Sequence, residues 1–163
     1  MRYNELTFQG RNAVLEAFRS GKTIDKLFIL DGCQDGPIKS IVREAKKTDA
    51  IINYVDKERL DRLAGTGHHQ GVVAIGAAYE YAEVEDILAA AKEKGEDPFI
   101  FILDEIEDPH NLGAIIRTAN LAGAHGVIIP KRRAVGLTAT VAKTSAGAIN
   151  YTPVAKVTNI SQT

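Results

Sequence analysis

The 163-residue sequence lacks the features of a secreted, membrane-spanning or disulfide-stabilised protein. It contains one cysteine, Cys33, which excludes an internal disulfide and fits a reducing cytoplasm. The longest apolar runs, such as residues 99–103, have the length of a strand and are too short to cross a bilayer. The N-terminus is followed by no apolar core, so we expect no signal peptide.

Common metal and nucleotide motifs are also missing. His68 and His69 have no partner ligands at the spacing of a zinc site, so we expect no bound metal. Neither a Gly-x-Gly-x-x-Gly motif nor a Walker lysine loop is present, which disfavours an unrelated nucleotide-binding domain. The five Tyr and five Phe form no stacking stripe of the RNP type.

Acidic residues are unevenly distributed, although the net charge is only −1. Residues 80–97 carry seven acids against two bases, whereas residues 98–163 carry four acids against six bases. From residue 109 to residue 163 there are six bases and no acid. A local basic face matters more for RNA than the total charge, so the distribution favours an RNA partner. A chance asymmetry on a solvated surface is the alternative.

The hydrophobic pattern divides the chain into three segments. Residues 1–78 alternate short apolar strands with amphipathic helices, which predicts a small α/β domain with a largely parallel or mixed sheet. Residues 79–97 predict an acidic linker that becomes the first helix of the next domain, over 84–94. Residues 98–163 again alternate strands and helices, and right-handed crossovers would give one parallel sheet. Three strands in so short a segment bury little surface, so we expect this sheet to be incomplete.

The segment from Leu103 to Asn120 is the most specific part of the sequence. A strand, a polar loop and a helix follow one another, which gathers polar groups where open α/β sheets bind ligands. Pro109 favours an extended conformation at Asp108, and we expect Asn111 to cap the helix because its side chain suits that role. Arg117 lies off the apolar face, and its small neighbours Gly113 and Asn120 are expected to leave room for a ligand. Without further information, a capped helix with one solvated arginine is the simpler interpretation.

Residues 108–114, Asp-Pro-His-Asn-Leu-Gly-Ala, together with Arg117 resemble the first signature motif of the SpoU (TrmH) RNA ribose 2′-O-methyltransferases. Residues 9–14 and 69–74 resemble the two ends of that family's N-terminal substrate-binding domain. Residues 129–131 and 142–148 resemble the stretch after the first motif, so the resemblance covers nearly the whole chain.

This resemblance implies an α/β fold with an RNA substrate-binding domain at 1–78 and part of a parallel-sheet α/β-knot (SPOUT) domain at 98–163. It implies methyl transfer from S-adenosylmethionine to a ribose 2′-hydroxyl, with large-subunit ribosomal RNA guanosine as the expected target and a homodimer as the complete enzyme. Asn111 and Arg117 match the residues implicated in catalysis. The expected RNA contacts are Arg11, Asn12, His69, Lys131, Arg132 and Arg133. The alternatives are ordinary helix capping for Arg11 and Asn12, a loop feature for His69 and ordinary surface charge for residues 131–133.

The resemblance does not extend to two further family motifs, a loop containing Gly-Glu and a final Ser-Leu-Asn stretch. In the family these form the knotted cofactor pocket and much of the dimer interface. We therefore expect this chain alone to be truncated, to bind S-adenosylmethionine poorly and to be inactive. A non-catalytic RNA-binding module is the alternative hypothesis.

Overall fold

The computed structural model describes residues 6–163. The chain forms two compact units, and the first ends at Ala77 where the second begins at Ala78. The N-terminal residues 1–5, on which the signal-peptide expectation depended, lie outside the described residues. Within residues 6–163, no helix combines the length and the apolar character needed to cross a membrane.

The first unit is a four-stranded mixed sheet with helices on both faces. Its elements are β1 (Leu6–Gln9), α1 (Arg11–Arg19), β2 (Ile24–Leu30), α2 (Gly36–Ala45), β3 (Ile51–Val55), α3 (Lys57–Ala64) and β4 (Val72–Gly76). The strand order is β1-β4-β2-β3, in which β2 and β3 are parallel and the other pairs are antiparallel. Of the parallel and mixed sheets that the sequence allowed, the mixed sheet is observed, and β1 is an addition that the sequence did not predict.

Local capping explains where the helices of this unit begin and end. The carboxylates of Asp35 and Asp56 accept backbone hydrogen bonds at the starts of α2 and α3. Gly65 ends α3 in the left-handed conformation. Asp56 and Gly65 therefore set the two ends of α3. Buried side chains of α1 and α2 pack on one face of the sheet, and Leu60 of α3 packs on the other.

The second unit is a three-layered arrangement around a short parallel sheet. Its elements are α4 (Val84–Lys94), β5 (Ile100–Ile102), α5 (Pro109–Leu121), β6 (Gly126–Pro130), α6 (Ala139–Thr144) and β7 (Val154–Val157), with short 3-10 helices at Ala148–Asn150 and Ile160–Gln162. The order β5-β6-β7 is parallel throughout, which confirms the predicted parallel sheet. Helices α5 and α6 share one apolar core, and α4 packs through Ile87 on Ile128 and Ala155.

The start of α5 differs from the prediction. The helix begins at Pro109, and the carboxylate of Asp108 caps it by accepting from the backbone N–H of His110 at 2.7 Å. Asp108 is extended, as expected for a residue before proline. Proline has no backbone N–H, and it fits the first helical position because an N–H there would have no partner within the helix. Asn111 is therefore not the cap but a residue of the first turn, and its side chain is left for another role.

Candidate functional site

The polar residues of the 103–120 segment lie where helix α5 follows the carboxyl end of β5. Asn111 and Arg117 are both exposed on this helix. Among residues 6–163, neither side chain has a hydrogen bond or an ion pair with another residue. An exposed amide and guanidinium without protein partners are free to bind a ligand, and together they offer a hydrogen-bonding group and a permanent positive charge.

The spacing of these two residues limits what they can do together. Six residues along an α-helix correspond to roughly 9 Å along the axis and to directions about 120° apart around it. His110, seven residues before Arg117, lies on nearly the same side of the helix as the arginine. Asn111 and Arg117 are thus arranged to contact different parts of an extended ligand, rather than to converge on one atom.

Gly113 allows α5 and α6 to approach each other closely. A Cβ atom placed on Gly113 would lie 1.9 Å from Thr144 Oγ1 and 2.7 Å from Thr144 Cβ. The Thr144 hydroxyl lies 2.9 Å from the carbonyl oxygen of Thr140 and 3.3 Å from that of Pro109, and it donates its proton within this contact. The space beside Gly113 that the sequence suggested for a ligand is occupied by α6, which corrects that expectation.

Two loops at the carboxyl edge of the parallel sheet are joined to each other. Arg133, in the loop after β6, forms an ion pair of 2.8 Å with Glu105 in the loop after β5. Both residues have positive φ angles, 53° and 56° respectively. The N–H of Val135 donates to the carbonyl of Ile106 at 2.9 Å. Arg133, an expected RNA contact, therefore has an internal partner, although it stays largely exposed.

The other two residues of the basic triplet differ in exposure. Arg132 is exposed and has no partner among the described residues, whereas Lys131 is half-buried and takes part in an interaction within the protein. The backbone N–H of Lys131 donates to the carbonyl of Val157. Of Lys131, Arg132 and Arg133, Arg132 is consequently the residue most available to an RNA phosphate.

In the first unit, Arg11 is held by residues that are distant in the sequence. Its backbone N–H donates to Gln70 Oε1 at 3.0 Å, and its Nε donates to the carbonyl of Gln70 at 3.2 Å. Its guanidinium also forms an ion pair with Asp35. Arg11, Asn12, Pro37 and Gln70 line a cleft of about 470 Å³. Asn12 is exposed there, and Gln70 is a cleft residue that had not been predicted as a contact.

His69, another expected RNA contact, lies inside the first unit. It is 5% exposed, its Nε2 lies 2.8 Å from Asp61 Oδ1, and its Nδ1 accepts the N–H of Gly71 at 2.9 Å. Since Nδ1 is an acceptor, Nε2 carries the proton and donates to the carboxylate. The structure therefore corrects the expectation of an accessible imidazole: both ring nitrogens are engaged within the fold.

The Asp61 carboxylate accepts hydrogen bonds from both Lys57 and His69. A hydrogen bond from Lys57, followed by the one from His69, holds the pKa of Asp61 below its usual value. This keeps Asp61 ionised as the partner of the buried imidazole. Within residues 6–163, no three His, Cys, Asp or Glu side chains are grouped in a way that would hold a metal ion.

Two family models match the chain, one for each unit. The model described as "RNA 2'-O ribose methyltransferase substrate binding" matches residues 9–82. The model described as "SpoU rRNA Methylase family" matches residues 98–163 and includes Asn111 and Arg117. The chain therefore belongs to the SpoU (TrmH) family.

The names of similar proteins agree with this assignment. YacO of Bacillus subtilis, named as a candidate TrmH family tRNA/rRNA methyltransferase, is 54% identical over 154 residues, which cover 94% of this chain and 61% of YacO. A similarly named protein of Staphylococcus haemolyticus is 48% identical, covering 98% of this chain and 64% of its own length. The chain thus spans a little over three fifths of these relatives.

Two solved structures align with most of this chain at low sequence identity. The AdoMet-bound rRNA methyltransferase of Sinorhizobium meliloti is 24% identical with a TM-score of 0.42, covering 93% of this chain and 54% of that one. The SpoU methyltransferase AviRb of Streptomyces viridochromogenes, in complex with AdoMet, is 21% identical with a TM-score of 0.45, covering 97% of this chain and 56% of that one.

Proposed function

We propose that this chain is part of an RNA ribose 2′-O-methyltransferase that uses S-adenosylmethionine as the methyl donor. The observation that carries the proposal is the pair Asn111 and Arg117, exposed without internal partners on the helix that contains the SpoU signature. The substrate-binding model over residues 9–82 and the names of the relatives support RNA as the substrate.

The finer parts of the proposal are those that the resemblance to the family suggests. The target is a guanosine ribose of large-subunit ribosomal RNA, the compartment is the cytoplasm, and the complete enzyme is a homodimer. The domain division is a substrate-binding domain at 1–78, a linker with the first helix at 79–97, and a methyltransferase segment at 98–163. The acid-free sequence after residue 108 supports an RNA partner, because it places α5 in a basic part of the chain.

Arg117 is proposed to position the RNA and to stabilise negative charge as the 2′-oxygen attacks. A guanidinium stays protonated under ordinary conditions, so it is poorly suited to act as a base. Its planar set of donors suits a phosphate or a ribose oxygen, and a fixed positive charge there lowers the energy of a developing alkoxide. Asn111, about 9 Å away along the helix, is proposed to hold a second point of the same substrate.

The polar residues of α5 are better suited to bind the RNA substrate than to bind the cofactor. S-adenosylmethionine supplies an activated methyl group when bound, and the protein must align it with the attacking oxygen. At the carboxyl edge of the parallel sheet, the carboxylates of Asp108 and Glu105 already have partners. Asp108 caps α5, and Glu105 pairs with Arg133. We assign no residue of this chain to the cofactor, and we propose that the 163 residues alone bind it poorly.

The test is transfer of a labelled methyl group to ribosomal RNA by the longest protein that the reading frame encodes, with mass mapping of the product. Loss of one preorganised donor typically lowers the rate 10²–10³-fold, so we expect Arg117→Ala to fall by roughly that factor. Arg117→Lys should keep much of the activity if a diffuse positive charge suffices. Arg59→Ala, an exposed arginine on α3, is the matched control and should be unchanged.

Three outcomes decide between the interpretations. A product methylated on a base rather than on a ribose 2′-oxygen would contradict the proposed reaction. RNA binding without methylation in the longest protein would favour the non-catalytic binding module. Micromolar binding of S-adenosylmethionine to the 163-residue chain, measured by calorimetry, would contradict the statement that this chain binds the cofactor poorly.

A further inference from the structure

The first unit has a second concave surface, separate from the cleft at Arg11. A groove of about 450 Å³ lies between α2 and the edge strand β3. The part of its lining that matters here consists of two apolar residues, three cations and one aromatic residue: Ile38, Val42, Lys39, Arg43, Lys46 and Tyr54. Its volume falls in the usual range of small-ligand sites.

The cations of this groove form a row along one helix face. Lys39, Arg43 and Lys46 follow the i, i+4, i+7 spacing, which places them on one side of α2 over roughly 10 Å. All three are exposed. Lys39 and Lys46 have no partner among the described residues, and Arg43 has only a long contact of 3.9 Å with Glu44.

Glu44 does not neutralise this row. Lys47 contacts its carboxylate at 2.8 and 3.0 Å, and this hydrogen bond lowers the pKa of Glu44. No acid of the described residues lines the groove itself. Three cations in a row next to apolar side chains, in a groove lined by no acid of the described residues, are complementary to a polyanion that also carries flat apolar groups.

Tyr54 supplies the aromatic surface that such a ligand needs. It lies on β3 two residues after Ile52, which packs against the core beneath α1 and α2, so it faces the same side of the sheet. Its side chain is exposed, with 56% of the residue accessible to solvent. Buried apolar packing therefore does not explain an aromatic residue at this position.

We propose that this groove binds an unpaired stretch of RNA, with a base stacked on Tyr54 and backbone phosphates held by Lys39, Arg43 and Lys46. Exposed aromatic rings that stack bases, next to cations that follow the phosphates, are the usual components of single-strand recognition. The inference rests on the proposed function in one respect, that the substrate is RNA. It adds a specific contact surface in the first unit that is distinct from Arg11 and Asn12.

The experiment measures binding of the 163-residue chain to a fluorescent single-stranded RNA of about 12 nucleotides, and to the duplex of the same sequence, by anisotropy. Tyr54→Ala should weaken single-strand binding roughly tenfold, while Tyr54→Phe, which keeps the ring, should stay near wild type. Lys39→Ala and Lys46→Ala should each weaken binding severalfold and lower the slope of log K against log salt by about 1.

Two matched controls are available in the chain. Tyr151→Ala removes an 80% exposed tyrosine of the second unit, and Lys47→Ala removes a lysine of the same helix region that is tied to Glu44. Both should leave single-strand affinity within twofold. Circular dichroism of each variant confirms that the fold is retained. Photocrosslinking with 4-thiouridine RNA should label the peptide that contains Tyr54.

Unchanged affinity of Tyr54→Ala and of both lysine variants, with RNA still bound, would overturn the groove while leaving the methyltransferase proposal intact. Equal losses on single strand and duplex would overturn the stacked base. Absence of any RNA binding by the wild-type chain would also overturn the groove proposal. Tight binding of the groove to anionic lipid vesicles but not to RNA would assign it to a different partner. Methylation by the longest protein is measured separately, so failure of the groove and failure of the proposed reaction are distinguishable.

Discussion

Two expected functional residues of the first unit differ from the two motif residues of helix α5 in the second unit. In the first unit, Arg11 is bound by Gln70 and Asp35, and His69 is buried against Asp61. In the second unit, Asn111 and Arg117 are exposed on α5 without a partner in the described part of the chain. A polar residue that matches a family motif therefore has different meanings in the two units. Arg11 and His69 maintain the fold, whereas Asn111 and Arg117 remain available to a ligand.

Histidine shows that the second unit also uses polar residues structurally. His125 is 7% exposed, its Nε2 lies 2.9 Å from Glu96, and its Nδ1 accepts the N–H of Phe99 at 3.1 Å. This arrangement repeats that of His69 in the first unit. In both cases one imidazole connects a carboxylate to a backbone N–H that would otherwise lack a partner. The contrast between the units thus concerns α5 and its arginine, not polar residues in general.

The largest effect on stability is expected at the contact between α5 and α6. Gly113→Ala places a Cβ within 1.9 Å of Thr144 Oγ1, so the helices must separate. Overpacking of this kind costs about 2–3 kcal/mol of unfolding free energy. Gly67→Ala, in the exposed turn after α3 with nothing within 4 Å, is the control and should be neutral or slightly stabilising. Urea unfolding measures both, and equal stabilities would contradict the close contact.

The two buried histidines are expected to have the next largest effect, and a similar one in each unit. His69→Ala leaves the Gly71 N–H without its acceptor, and His125→Ala does the same to the Phe99 N–H. Loss of a buried hydrogen-bond partner costs about 1–2 kcal/mol. The exposed His68→Ala should change stability little. A stable His69→Ala variant with reduced RNA affinity would contradict the structural role and restore the expected RNA contact.

A smaller difference should separate the two arginines. Arg11→Ala removes a partly buried side chain that links Gln70 and Asp35, and we expect a loss of roughly 1 kcal/mol. Arg117→Ala should leave the unfolding free energy unchanged, because the side chain is exposed and has no partner among the described residues. Thermal or urea unfolding compares them. A destabilised Arg117→Ala variant would show that this arginine also maintains the fold.

The smallest effect concerns acid stability in the first unit. Because the folded-state pKa of Asp61 is lowered from 3.8, its ionised form contributes stability above that value. The contribution is lost as the pH falls through the lowered pKa, so the advantage of the wild type over Asp61→Asn should be constant near neutrality and disappear in acid. Urea midpoints between neutrality and strong acid measure it. An advantage that grows on acidification would contradict the sign.

The sequence predicted most elements because their signals are local. Asp56 and Gly65 determine both ends of α3, and the runs at 51–55 and 126–130 coincide with β3 and β6. The start of α5 was predicted wrongly because Asp108 and Asn111 are both good capping residues, and only the helical conformation of residues 109–111 distinguishes them. The four-residue β1 was missed because it is short and depends on pairing with β4.

By itself the sequence determined the two α/β parts, the parallel sheet of the second unit and the family, through apolar periodicity, capping residues and the motif around Asn111 and Arg117. The tertiary structure alone decided which polar residues remain available. Gln70 lies 59 residues from Arg11, and Glu105 is 28 residues from Arg133, so neither pairing has a local signal. The sequence likewise suggested free space beside Gly113, but α6 packs against this residue. Long-range packing therefore determines which side chains are exposed, and only exposed motif residues can contact RNA.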